Sequence, residues 1–365
     1  MSNRAEARIN LSAIATNVQK LKASSGTELM AVVKADAYGH GLVPVAKSAI
    51  NAGASWLGVA LVEEAHALRA AEITAPILAW LVPPGSDYDA AIAANIDLAV
   101  PSLEIFKEIV ATGKRARIHI EVDTGMTRGG FLEEWAEFLK SDFSKVEVVG
   151  IFSHFARADE VNEKQNQSQL VNFEKAVADL AVVGVTPRLK HLSNSAATLT
   201  NQSATFDLVR TGIAMYGLTP DLEHLGTSKS LGLLAAMEVR AKLHLVKKVP
   251  ANSPVGYGAT DSTSCDTVLG VVAMGYADGL PRVAKAAGVF FKGNQARIIG
   301  RVSMDQFVVD LGPETTAKAG DYVVIFNNGA AGEFTAEDWG SASGSINYEI
   351  TTRIGPRVPR IYSHE

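Results

Sequence analysis

The chain has 365 residues, 47% hydrophobic and 20% charged, with a formal net charge of −5. That length exceeds one ordinary core and points to two domains, and interspersed acids and bases without a long basic run exclude nucleic-acid and membrane-surface partners. Cys265 is the only cysteine, so an intramolecular disulfide and a cysteine metal cluster are excluded and no metal site is expected. The segment MSNRAEARINLSAI lacks the unbroken apolar core of a signal peptide, and no stretch reaches transmembrane length, so a cytoplasmic protein is expected.

Short apolar runs alternate with helix-patterned segments along the first two-thirds of the chain. LMAVVKAD predicts a strand, and GLVPVAKSAINAG a helix ending on a glycine. WLGVA and LVEEAHALRAAE, then PILAWLV and DYDAAIAAN, repeat the pairing, and DLAV, ARIHIEVD, VVGIFSH, LKHLSNS and LVRTGIAMYG continue it. Runs without strict alternation suit strands buried on both faces, as in a parallel sheet wrapped by helices. So many units in a row predict an α/β fold, either a (β/α)8 TIM-like barrel or a doubly wound sheet. No glycine-rich dinucleotide fingerprint follows the first strand, which favours the barrel. After about residue 230, MEVRAKLHLVKKV, TVLGVVAMGY, GVFFKG, QARIIGRVSM, QFVVDLG and DYVVIF are strand-like and broken by Gly, Pro, Asn and Asp. They predict a separate, mostly-β domain, with the polar stretch LTPDLEHLGTSKSLG at the junction and boundaries near 1–228 and 229–365.

Chemistry-bearing residues gather at the C-terminal ends of the strand runs: Lys34 after MAVV, Arg128 after IHIEVDTGM, His154 after VVGIFS and Ser195 after LKHLSN. In a barrel those ends open onto one face, where active sites lie. A lysine leaving a buried strand ordinarily reaches solvent or pairs with an acid. Lys34 instead runs into ADAYGHG, a small glycine-marked turn that leaves room for a ligand. Burial there lowers an amine's pKa and makes it a nucleophile for a carbonyl.

The run AVVKADAYGHG resembles the pyridoxal-phosphate attachment motif of the alanine racemases. The similarity continues through DTGMTRGGF, FSHFARADE, HLSNSAA, RTGIAMYG, VGYGATD, MGYADGLPR, IIGRVSMDQ and INYEITTRIGPRVPRIY. Nine motifs in register across both expected domains make the resemblance specific. It implies that Lys34 forms the Schiff base with pyridoxal 5'-phosphate and acts as one acid/base, with Tyr257 as the opposing base. A tyrosine of ordinary pKa, about 10, needs a neighbour that stabilises its phenolate, and His154 matches that neighbour. Arg210 matches the arginine facing the cofactor's ring nitrogen. A guanidinium does not readily yield a proton, so the nitrogen stays unprotonated and the chemistry stops at proton exchange on Cα. Taken alone, Arg210 reads equally as a partner of the nearby Asp207.

The resemblance also assigns the phosphate to Ser195, the backbone of Gly212 and Ile213, and the phenols of Tyr38 and Tyr348, with His191 near the cofactor ring. Substrate carboxylate recognition falls to Arg128 and the backbone of Met304, while Asp305 and Tyr276 line the site and its entrance. Tyr257 and Met304 reach the Lys34 site of the other subunit, which implies a homodimer with shared active sites. The implied function is L- and D-alanine interconversion for peptidoglycan; a racemase of broader range, acting for example on serine, is the alternative. Basic amino-acid decarboxylases of the same fold pair the ring nitrogen with an acid and use a cysteine opposite the lysine, where this chain has Arg210 and Tyr257. A non-catalytic carrier of the cofactor lacks a second domain.

Two departures from the family pattern stand out. Glu121 occupies a position where many members carry a carbamylated lysine, an anion that orients the arginine matching Arg128. Glu121 is already an anion, so it is expected either to act directly or to be buried in a salt bridge. Gly256 precedes the tyrosine where serine is commoner, an exchange that either loosens the loop or is inconsequential.

Overall fold

A computed structural model describes residues 3–364. It divides into two compact units: one holds Ile14–Ala37 and Leu42–Leu233, and the other holds the segment up to Ala13, Tyr38–Gly41 and Leu234 onward. The first strand, β1 (Ala5–Asn10), leads into helix α1 (Leu11–Ser25).

The first unit is built on eight parallel strands: β2 (Glu28–Val32), β3 (Trp56–Val59), β4 (Ile77–Ala79), β5 (Asp97–Val100), β6 (Ala116–Glu121), β7 (Val146–Phe152), β8 (Leu189–His191) and β9 (Leu208–Thr211). Their hydrogen-bonded order runs β8-β7-β6-β5-β4-β3-β2-β9. The two ends of this path meet where Asp207 N–H donates to Lys190 O (3.1 Å) and Arg210 N–H to Ser193 O (2.9 Å). The result is the nearly closed TIM-like barrel expected from the βα rhythm. Helices α2 (Leu42–Asn51), α3 (Val62–Ala70), α4 (Tyr88–Ala93), α5 (Leu103–Ala111), α6 (Trp135–Phe138), α7 (Lys164–Val182) and α8 (Ser195–Thr200) follow successive strands. Side chains fill the barrel: Met30, Trp56, Leu78, Ala99, Val149, Phe152, Leu189 and Leu208 form one buried cluster, with Trp80 packed against it. Among the described residues, no helix is long and apolar enough to cross a membrane.

The second unit is mostly β, as its punctuated, β-branched sequence predicts. Its long strand β10 (Met237–Val249) is followed by the ribbon β11 (Pro254–Val255) and β12 (Asp261–Ser262). Then come β13 (Thr267–Val272), β14 (Gly288–Phe291), β15 (Asn294–Arg297), β16 (Phe307–Asp310), β17 (Tyr322–Phe326) and β18 (Arg360–Ser363). Two helices, α9 (Ala336–Ser343) and α10 (Asn347–Thr352), interrupt the strands. The main sheet has the order β15-β14-β17-β10-β1-β18. Here β1 runs antiparallel to β10 and parallel to β18, so the N-terminal strand belongs to this sheet and not to the barrel.

Candidate active site

The segment after β2 folds in a way its composition does not announce. Ala35, Asp36, Ala37 and Tyr38 all have φ between 52° and 54°, four successive non-glycine residues in the left-handed region. Such a conformation costs roughly 1–2 kcal/mol per residue, so the surroundings must hold it. They do so through Glu64, the third residue of α3, whose carboxylate accepts the N–H groups of Ala35 (2.5 Å), Ala60 (3.0 Å) and Leu61 (3.0 Å). Asp36 Oδ1 in turn accepts the first free N–H of α2, at Leu42 (2.8 Å). The turn carries Lys34 at its start and ends on Tyr38.

Lys34 Nζ lies 5.7 Å from the centroid of the Trp80 ring and makes no hydrogen bond or ion pair within the described residues. Burial lowers its pKa; Arg128 adds to the shift and Glu64 opposes it. An amine in this setting is readier to give up its proton and act as a nucleophile.

Arg210, in β9, is buried and held from several sides. Its Nη1 donates to His191 O (2.6 Å) and faces His191 Nδ1 (3.2 Å); its Nη2 donates to Ser153 O (2.7 Å) and faces His154 Nδ1 (3.2 Å). The guanidinium also lies over Phe152, 5.5 Å from the ring centroid. Burial brings its pKa down to about 10, against a rise due to Glu121, so it stays charged at neutral pH. Asp207 is not its partner; that carboxylate pairs with Lys190 Nζ at 3.4 Å. The Nε–H of Arg210 has no protein acceptor among the described residues.

His154 has its pKa lowered to about 3 by burial, then by Arg210, Arg128 and Lys34. It is therefore neutral. Because Arg210 can only donate, His154 Nδ1 accepts and its proton sits on Nε2. His154 thus offers a neutral hydrogen-bond donor.

A carboxylate at Asp123 shapes the loop that presents Arg128. Its Oδ1 accepts the N–H groups of Gly125, Met126 and Thr127 at 2.9, 3.0 and 3.1 Å. Arg128 is exposed and has no hydrogen bond or ion pair within the described residues. Glu121, at the end of β6, makes no ion pair within 4 Å among the described residues. Burial raises its pKa, while Arg128 and Arg210 pull it down. Ser195 begins α8, and its Oγ accepts from Gly212 N–H (2.9 Å). Gly212's donor is thereby engaged, leaving the serine hydroxyl proton and the N–H of Ile213, first residue of a 3-10 turn, as the donors there.

In the β-rich unit, Arg360 Nε donates to Gly39 O (2.9 Å), and the rings of Tyr38 and Tyr348 lie 6.2 Å apart. Burial raises the pKa of Tyr38, which keeps it a donor. Tyr276 and Met304 sit on loops laced together by Tyr276 N–H to Ser303 O (3.0 Å) and Ala277 N–H to Met304 O (2.9 Å). The Asp305 carboxylate is taken by Arg357 at 2.7 Å. Tyr257 is 74% exposed and Met304 54%. Gly256 has φ 74° and ψ −174°, a region essentially reserved to glycine. The glycine therefore fixes the entry to the tyrosine turn and does not loosen it.

The model for the alanine racemase N-terminal domain matches residues 9–220, and that for the C-terminal domain matches residues 236–362. The chain belongs to the alanine racemase family. An alanine racemase of Salinispora arenicola is 46% identical over 99% of both chains. The crystal structure of alanine racemase from a D-cycloserine-producing Streptomyces lavendulae superposes with a TM-score of 0.96 at 46% identity, covering 100% of this chain and 98% of that one. The Bacillus anthracis alanine racemase with bound L-Ala-P gives 0.92 at 37% identity, covering 100% and 96%. The protein is thus an isomerase of this family. Trp80 and Glu64 are parts of this racemase that motif reading missed: Trp80 closes the run PILAW at the same strand-end position as Lys34, and Glu64 sits three residues beyond the N-cap of α3.

The neutral His154 has a consequence for stability. Its folded pKa, about 3, lies below the ordinary 6.5, so between those values the unfolded chain binds the extra proton. Stability therefore falls as pH drops through that window, by about 1.4 kcal/mol per pH unit for one such group. Urea unfolding at pH 7 and pH 5.5 should show a loss smaller by about 1 kcal/mol in His154→Gln than in the parent. Equal losses in the two proteins would contradict the assignment.

Proposed function

We propose that the chain is a pyridoxal-phosphate-dependent racemase interconverting L- and D-alanine by proton transfer at Cα. The observation that carries the reading is Lys34: a half-buried amine with lowered pKa and no ion pair among the described residues, in the attachment motif, acted on by Arg128 and itself acting on His154. The donor set fits the cofactor. A reactive amine, a guanidinium with an uncommitted Nε–H, and the hydroxyl and backbone donors at Ser195 and Ile213 match an aldehyde, a ring nitrogen and a phosphate. When bound, pyridoxal phosphate supplies the aldehyde that takes up an amine and an electron-poor ring that acidifies Cα–H.

Each protein group then has a defined task. Lys34 Nζ carries a proton to or from one face of Cα, and Tyr257 of the partner subunit serves the other. His154 Nε2–H stabilises the phenolate that Tyr257 becomes. Arg210, charged and donor-only, keeps the ring nitrogen unprotonated and so limits the reaction to proton exchange. Arg128 and the Met304 N–H hold the substrate carboxylate, with Glu121 orienting Arg128 directly. Tyr38 and Tyr348 add phenolic donors to the phosphate, His191 backs Arg210, and Tyr276 and Asp305 border the entrance. The high exposure of Tyr257 and Met304 in the single chain supports a homodimer with shared sites, since a base at Cα must work away from bulk water. A cytoplasmic location and D-alanine supply for peptidoglycan complete the proposal.

The purified protein with L-alanine in heavy water should incorporate deuterium at Cα and lose optical rotation together. Exchange with retained rotation rules out racemisation, and no exchange in cofactor-loaded protein rules out the reading as a whole; L-serine in parallel reads the breadth of the pocket. Mixing inactive Lys34→Ala and Tyr257→Phe proteins should restore about a quarter of the parental activity, because half the dimers are mixed and each has one intact site. No recovery after confirmed subunit exchange contradicts shared sites. Glu121→Gln should raise KM for alanine roughly tenfold through a loosened Arg128; unchanged kinetics would remove Glu121 from the site.

A further inference from the structure

Behind Arg210, a row of buried polar groups crosses the barrel interior, and the proposed reaction gives its far end no task. Asp97, first residue of β5, is gripped by Arg117 through Nε to Oδ1 (2.8 Å) and Nη2 to Oδ2 (3.1 Å). His119 Nε2 lies 3.3 Å from Asp97 Oδ2, short of strict hydrogen-bond geometry but with no other polar partner. His119 Nδ1 is 2.8 Å from His191 Nε2, and His191 Nδ1 is 3.2 Å from Arg210 Nη1. Both imidazoles are fully buried. Burial keeps both below the ordinary histidine pKa, and so neutral.

The chemistry of the two ends sets one direction along the row. Arginine only donates and a carboxylate only accepts. His191 Nδ1 must therefore accept from Arg210, which places the His191 proton on Nε2, aimed at His119 Nδ1. The His119 proton is then on Nε2, facing Asp97. Every ring has one permitted tautomer. Burial works against the Asp97 charge, yet the neighbouring His119 and the bonds from Arg117 keep its pKa below the ordinary value, so the accepting end is fixed.

The packing around the row prevents the rings from turning. The His119 ring meets Trp56 edge-on at 5.3 Å, and the His191 ring stacks on Phe152 at 5.1 Å with 9° between planes. Gly150 pairs with His119 across β6 and β7, and any Cβ there would collide with the imidazole.

We infer that Asp97 and His119 are positioning residues for racemisation: through His191 they fix the place and orientation of the Arg210 guanidinium. The inference rests on the proposed role of Arg210 against the cofactor ring. Asp97→Asn is the natural reversal. With Arg117 holding its carbonyl oxygen, the asparagine amide donates to His119 Nε2, both tautomers invert, and His191 Nδ1–H then confronts Arg210 Nη1–H.

The test is 15N NMR of the histidines in full-length, cofactor-loaded protein, read beside kinetics and the cofactor's absorption band. The parent should show His119 and His191 neutral, protonated on Nε2 only. Asp97→Asn should move the His191 proton to Nδ1, displace the absorption maximum, and lower kcat by about tenfold with little change in KM for alanine. His119→Gln keeps an acceptor toward His191 and a donor toward Asp97, so it should retain the parental tautomer and band where His119→Leu does not. An Nδ1–H tautomer in the parent overturns the inference. So does an Asp97→Asn protein with unaltered tautomers and band, whatever its stability; if that variant does not fold, the His119 pair decides in its place. The parental tautomers are read independently of turnover, so absence of Cα exchange in the parent counts against the proposed function alone.

Discussion

A guanidinium buried inside a barrel is the constraint from which most of this site follows. Arg210 cannot be discharged at neutral pH, and an unsatisfied buried charge costs several kcal/mol. The barrel answers with carbonyl oxygens: Ser153 O from the segment after β7, and His191 O from the end of β8. Those strands must stop where they do for their last carbonyls to turn inward on the cation. The termination of β7 and β8 and the placement of His154 and His191 are thus one problem with one solution. Phe152 serves it too, with its ring against both the guanidinium and His191.

The surrounding charge is uneven. Arg128 acts on both Lys34 and Arg210, all three act on the common neighbour His154, and Glu121 is the acidic group facing both arginines. Such a cluster suits ligands that bring negative charge of their own, a phosphate and a carboxylate among them. It also adds to the burial that keeps His154 neutral, since a further cation there would face three others.

Much of the barrel was legible in the sequence because its strands are buried on both faces and read as unbroken apolar runs. The strand-end positions of Lys34, His154 and Ser195 followed from the same rhythm. What could not be read depends on contacts distant in sequence. ADAY contains only one residue with a taste for left-handed backbone, and its four-residue turn is held by Glu64 from another βα unit. Asp97 and His119 look like interruptions in DLAV and ARIHIEVD until the closed sheet brings them to one interior. That the Gly212 N–H is engaged depends on a serine hydroxyl seventeen residues earlier, a distance over which no local pattern speaks. Gly256 was ambiguous because a glycine announces freedom without saying which conformation uses it.

The pairing of β1 with β10 and β18 bears on how the chain is made. A ribosome releases β1 ahead of the barrel strands, yet its two neighbours in the sheet, β10 and β18, follow the barrel in the chain. Every barrel strand emerges in between. This strand therefore waits, edges unpaired, while all eight barrel strands are synthesised, the circumstance in which exposed strands invite wrong partners. Its alternation of alanines with Glu6 and Arg8 suits that wait: small and charged side chains give a stray strand little to hold.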